Sequence, residues 1–173
     1  MKQQLGSVAG FVVFLLMCLG TQLTGSFLTM PAIRSGWYAG LAKPFFTPPD
    51  WLFGLAWTAL YFILAVAAWM VWKSQHDAPL VKPALLLFFA QLVLNVFWSA
   101  FFFSMQRPGL AFAEIVLLGV LALVTAALFF RINRWAGLLL VPYLGWLLYA
   151  AALNGAIWWL NRGPVMTGAG GVV

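Results

Sequence analysis

Five long stretches of this chain carry almost no charge, and they leave it little choice of fold. Residues 3–33, 51–72, 83–106 and 135–161 contain no Asp, Glu, Lys or Arg, and residues 108–130 contain one, Glu114. Each exceeds the roughly 18 residues that mark a helix able to cross a bilayer. Charged residues make up only 7% of the 173, where a soluble domain carries roughly 25%. The expectation is an all-α membrane protein, a five-transmembrane-helix bundle with helices near 5–26, 50–72, 83–105, 109–131 and 135–160. Residues 1–162 form a single membrane domain and residues 163–173 a frayed tail. Lys2 ahead of the first apolar run imitates a signal peptide, but the run is too long and ends in no small-x-small site, so it is read as a retained helix.

The net charge of +6 comes from nine Lys and Arg scattered singly between the apolar runs. That is the distribution of interfacial anchors to membrane lipid, and it excludes a nucleic-acid surface. Lys2, Lys73, Lys82, Arg131 and Arg134 fall on one side; Arg34, Lys43, Arg107 and Arg162 fall on the other. Five against four is too small a bias to set the orientation. With Cys18 the single cysteine and His76 the single histidine, the chain offers no disulfide framework and no multi-ligand metal site. Cys18 reads as apolar packing. Gly6 and Gly10 form a GxxxG, read first as ordinary small-residue packing.

Residues 27–49 make a long link without an evident helix of its own, the kind of segment that serves as a lid. Its second half, running into the next helix, is WYAGLAKPFFTPPDWLFGLAW, residues 37–57. Pro44, Pro48 and Pro49 break regular helix there, and Asp50 suits an N-cap. Trp37, Tyr38, Phe45, Phe46 and Trp51 suit an interface or an aromatic pocket. The remaining links are short, so the third, fourth and fifth helices are antiparallel neighbours.

Polar groups recur inside the spans. Gln91, Asn95, Trp98 and Phe102, spaced 4, 3 and 4, share a face of the third helix. Tyr143, Trp146, Ala150, Asn154 and Trp158 make a similar stripe on the fifth, where Pro142 introduces a kink. Phe53, Trp57 and Tyr61 lie a turn apart on the second. Amides in hydrocarbon must face protein or a cavity. They bond neighbouring helices, or they line an aromatic cavity beneath the link, which suits a large flat apolar ligand. Glu114, about two turns from Arg107, is read as structural or hydrated.

The connector pattern W-Y-x-x-L-x-K-P-x-x-x-P-P, followed by W-x-F-x-x-A-W, closely resembles the signature of the TspO/MBR family, the tryptophan-rich sensory and translocator (peripheral benzodiazepine receptor) proteins. The runs AQLVLNVFWSAFFF, WAGLLLVPYLGW and ALNGAIWWLN are similar to that family's third and fifth helices, so the likeness covers residues 37–161. It implies a five-helix bundle, usually a homodimer in a bacterial membrane, whose first loop closes over a pocket for porphyrins such as protoporphyrin IX and haem. It also implies, in some members, cholesterol and isoquinoline or benzodiazepine ligands. By position, the family's ligand contacts fall on Tyr38, Trp57, Gln91, Asn95, Trp98, Trp146, Ala150 and Asn154; Tyr143 joins them from the fifth-helix stripe. Trp37, Lys43, Pro44, Phe46 and Pro48 belong to the lid. Trp57 and Trp146 match two tryptophans associated with light-dependent porphyrin breakdown in bacterial relatives. The likeness implies no required cofactor and no metal, with porphyrin as ligand.

Two departures stand out. Gly155 and Ala156 follow Leu153-Asn154 where animal relatives carry the tyrosine of their sterol pattern, and positions 45 and 46 are Phe where tryptophan is common. The expected function is a porphyrin-binding sensor with a regulatory or transport role. The sequence shows no internal repeat or ion-coupling site for a transporter. It shows no acid–base pair or nucleophile for ordinary catalysis, which leaves photochemistry at Trp57 and Trp146 as the only enzymatic reading.

Overall fold

The structure, a computed structural model, describes residues 2–74 and 79–163, with side chains from residue 6 onward. His76 and the tail from residue 164 lie outside the described residues. The elements are α1 (Lys2–Arg34), α2 (Trp37–Gly40), α3 (Asp50–Lys73), α4 (Val81–Ser99) with a π-helical turn (Ala100–Ser104), α5 (Pro108–Ile132), α6 (Arg134–Leu139) and α7 (Val141–Asn161). Counting α4 with its π turn and α6 with α7, they give five spans long and apolar enough to cross a bilayer. The protein is a multi-pass integral membrane protein.

α1 is longer than the sequence suggests. It continues through the polar stretch after Gly20, because hydroxyls of Thr21, Thr24 and Thr29 donate back to the carbonyls of Met17, Gly20 and Gly25 at 2.8–3.0 Å. Such back-bonding lets hydroxyl residues sit inside a helix in an apolar medium. Pro31 lies within α1, and the helix stops only at Gly36, whose φ of 77° is the left-handed conformation that ends helices. The irregular part of the link is therefore short, essentially residues 41–49. Asp50 is not an N-cap: Pro49 holds that place, and no side chain caps α3. Asp50 instead begins the helix, where its charge complements the dipole.

The fifth span bends where Pro142 predicts. α6 ends at Leu139 and α7 starts at Val141 with Pro142 in its first turn, where a missing N–H costs nothing. α6 is capped by Asn133, whose Oδ1 accepts from the Trp135 and Ala136 amides at 3.0 and 3.2 Å. The third span changes pitch at Ala100, a departure from the regular helix expected there.

The spans close a ring. α1 packs on α3 and α4, α4 on α5, α5 on α7, and α3 on α6. Far from the link the ring is solid: Leu64, Ala65, Ala68, Ala84, Phe88, Ala122, Phe129 and Ala136 are buried together. Small residues let the backbones approach closely, the main source of helix association in lipid. Gly10 contributes in the same way, since a Cβ there would lie 2.5 Å from the Trp72 ring, whereas a Cβ on Gly6 would meet nothing within 4 Å. The two glycines do not act as one seam. Cys18 is fully buried in this core. Near the link the ring is hollow.

Candidate ligand cavity

A cavity of about 370 Å³ lies under the link, walled by α1, α3, α4 with its π turn, and α7. That volume falls within the usual range of small-molecule sites, roughly 300–1,000 Å³. On α3, Phe53, Trp57 and Tyr61 repeat every four residues, so they form one column; Trp57 and Tyr61 stack with centroids 5.5 Å apart. On α4, Asn95, Trp98 and Ser99 face inward, and the wider π turn brings both Phe102 and Phe103 to the cavity. Trp98 and Phe102 stack at 5.4 Å. Ala150, Leu153, Asn154 and Ile157 complete the α7 side.

Hydrogen bonds fix this lining. Trp98 Nε1 donates to Asn154 Oδ1 at 3.0 Å, and Asn154 Nδ2 donates to the Pro108 carbonyl at 2.8 Å. One asparagine thus ties α4, α5 and α7 together. Asn95 Nδ2 donates to the Gln91 carbonyl at 2.9 Å and to the Tyr143 hydroxyl at 2.8 Å.

Tyr38 of α2 roofs the cavity. It is buried against Phe102 and Phe103, with the Lys43 ammonium 4.4 Å from its ring centroid. Burial and then the nearby Asp50 charge push its phenol up from 10 to about 12, with Tyr149 adding to the effect. The lid is held down at two points. Asn161 accepts from the Ala42 amide at 3.1 Å and donates to the Ala42 carbonyl at 2.9 Å, and the Tyr149 hydroxyl donates to the Phe46 carbonyl at 2.9 Å.

The structure brings Tyr38, Trp57, Asn95, Trp98, Ala150 and Asn154 to this one cavity. It does not bring Gln91, Tyr143 or Trp146 into the lining. Gln91 shares the face of Asn95 but sits one turn deeper, fully buried, with neither amide atom hydrogen-bonded. Tyr143 is fully buried below Asn95. Trp146 packs from α7 against α3, edge-on to Phe53 at 6.0 Å and to Trp57 at 6.3 Å, its buried indole N–H without a partner. Trp37, Lys43, Pro44, Phe46 and Pro48 lie in the overlying segment and contribute no lining either; Trp37 packs edge-on against Phe102 at 5.9 Å. Glu114 is buried to 7% exposure with neither carboxylate oxygen hydrogen-bonded, and it too lies outside the lining.

The polar end of α1 supplies a further wall. Gln22, Gly25, Ser26, Thr29, Met30 and Ile33 of α1 line the cavity. Their spacing of three, one, three, one and three is one helical face, the signal that would have found them. Gln22 Nε2 donates to Thr58 Oγ1 at 2.6 Å and ties this wall to α3.

Gly155 is a packing position: a Cβ there would lie 2.9 Å from the Phe112 ring. Among the described residues no three His, Cys, Asp or Glu gather to hold a metal ion.

Comparison with known proteins agrees with the architecture. A profile of the TspO/MBR family matches residues 11–160. The Tryptophan-rich protein TspO of Archaeoglobus fulgidus is 41% identical over 156 residues, which is 90% of this chain and 99% of that protein. The Tryptophan-rich sensory protein of Cereibacter sphaeroides is 38% identical over 144 residues, 83% of this chain and 86% of that one. The human Translocator protein is 36% identical over 129 residues, 73% of this chain and 76% of that one. With the five-span ring, the aromatic cavity and a match that runs from α1 to the end of α7, the chain belongs to the TspO/MBR family.

Proposed function

We propose that this protein is a membrane receptor for flat tetrapyrroles, protoporphyrin IX or haem, with a regulatory or transport role in their handling. The observation that carries the reading is the cavity beneath the lid, whose lining includes the indoles Trp57 and Trp98, a surface that suits a planar apolar ligand. A macrocycle larger than the enclosed volume would extend through the mouth between α1 and α3, where Ser26, Met30 and Gly54 are exposed. Lys43, at the lid, holds its ammonium 4.4 Å from the Tyr38 ring centroid and suits a ligand carboxylate at the interface. The homodimer implied by family likeness belongs to the same proposal.

Titration of the purified protein with protoporphyrin IX tests it. Saturable quenching of tryptophan fluorescence, absent from an unrelated membrane protein in the same detergent, is the expected result. A linear response shared by both proteins would refute the reading.

A second reading, light-dependent porphyrin breakdown, draws on the Trp57–Trp146 pair: one indole lines the cavity and the other packs edge-on against it. Illumination with bound porphyrin should bleach it faster in the wild type than in Trp57→Phe. Equal rates would remove this activity and leave binding untouched.

A further inference from the structure

The polar lining of the cavity is lopsided. Among the described residues no Lys, Arg or His lines the cavity, whereas Asp50 does. Asp50 is exposed at the rim and its carboxylate caps no helix. Part of the amide donor capacity is used inside the protein, one N–H of Gln22 Nε2 on Thr58 and both of Asn95 Nδ2 on Gln91 and Tyr143. The Gln91 carbonyl only accepts, so it fixes which end of the Asn95 amide is nitrogen and leaves Asn95 Oδ1 as an acceptor. The Trp98 indole N–H is spent on Asn154. Among the described residues Asp50 is thus the one charged side chain in a lining that also holds the rings of Trp57, Tyr61 and Trp98.

A carboxylate and aromatic rings in one cavity are the elements that recognise organic cations. The protein already uses one such ring this way, holding the Lys43 ammonium 4.4 Å from the Tyr38 centroid. We propose that the cavity is also a binding site for flat lipophilic cations, with Asp50 as counter-ion and the Trp57 and Trp98 rings as the stacking surface. This ligand class lies beyond the tetrapyrrole reading, whose ligands carry carboxylates, and does not depend on it.

The test compares two tricyclic probes of similar size, N-methylacridinium and 9-methylacridine, on the full chain in non-ionic detergent at mildly alkaline pH, where only the first is charged. The cation should saturate and bind about tenfold more tightly than the neutral probe. Asp50→Asn, nearly isosteric and removing no cap bond, should cut that preference to about twofold. Gly54→Phe should abolish saturable binding of both: Gly54 lines the mouth, and a Cβ there meets nothing within 4 Å, so a ring can be added at the mouth without displacing backbone. Equal or tighter binding of 9-methylacridine, or no saturation by the cation, would overturn the proposal. So would an undiminished preference in Asp50→Asn, or cation binding that survives Gly54→Phe.

Discussion

Trp98 and Asn154 meet across the cavity wall, indole N–H to amide oxygen at 3.0 Å, and the same amide donates onward to the Pro108 carbonyl. Asn154 is 1% exposed, so neither bond can be replaced by water without rearrangement. Asn154→Leu leaves the indole N–H and the carbonyl without this partner. The expected cost is about 1–2 kcal/mol, read as a lower melting temperature in detergent. Trp98→Phe removes the indole donor and leaves the Asn154–Pro108 bond in place; an unchanged melting temperature in that variant would mean that the Trp98 bond contributes nothing.

Ligand quenching should rank the tryptophans. Trp57 and Trp98 line the cavity and Trp146 packs edge-on against Trp57. Substitution of Trp57 or Trp98 by Phe should therefore remove more of the quenchable signal than Trp146→Phe. The reverse order would place the ligand beside Trp146 rather than in this cavity.

The buried polar groups outside the cavity behave differently. Neither the Gln91 amide nor the Glu114 carboxyl has a protein partner. Replacing an unsatisfied buried polar group by an apolar one of similar shape removes a desolvation cost. Gln91→Leu and Glu114→Leu should each raise stability by about 1 kcal/mol and leave porphyrin affinity within twofold. A large loss of affinity in Gln91→Leu would return that residue to the ligand site.

The five spans were legible in the sequence because charge is excluded from hydrocarbon whatever the tertiary packing. The clustering of Trp57, Asn95, Trp98, Ala150 and Asn154 was legible because helical spacing sets the face of each stripe. Depth was not. Gln91 lies on the same stripe as Asn95, and only the neighbouring Tyr143 and the filled core beneath it exclude Gln91 from the lining. The α1 wall was missed for a related reason: Ser26 and Thr29 resemble a helix end in composition, and their place in a continuing helix depends on side-chain to backbone bonding and on Gly36 as the stop. The π turn, which turns both Phe102 and Phe103 inward, leaves no mark in hydrophobic periodicity.

The lid should open more readily without its clasp. Asn161 holds Ala42 through two hydrogen bonds. Asn161→Ala should speed both association and dissociation of porphyrin several-fold, with little change in equilibrium affinity, since the clasp closes the lid without lining the cavity. Faster amide exchange across residues 41–49 is the independent sign. Unchanged rates would mean that the ligand enters elsewhere.

Tyr38 reports the charge at the rim. Its phenol is raised from 10 to about 12, by burial first and Asp50 second. A phenol with a raised folded-state pKa contributes stability below pH 10 that is lost as pH rises toward 12. Asp50→Asn should lower the midpoint of phenolate absorbance assigned to Tyr38 by comparison with Tyr38→Phe. A midpoint that does not move would separate Asp50 from the roof.

The central claim, that the aromatic hollow beneath the lid is where a planar ligand sits, is tested most directly by plugging it. Protoporphyrin IX titrated into Gly54→Phe protein of unchanged melting temperature should bind at least tenfold more weakly than to the wild type. Undiminished saturable binding to the plugged protein would contradict the account.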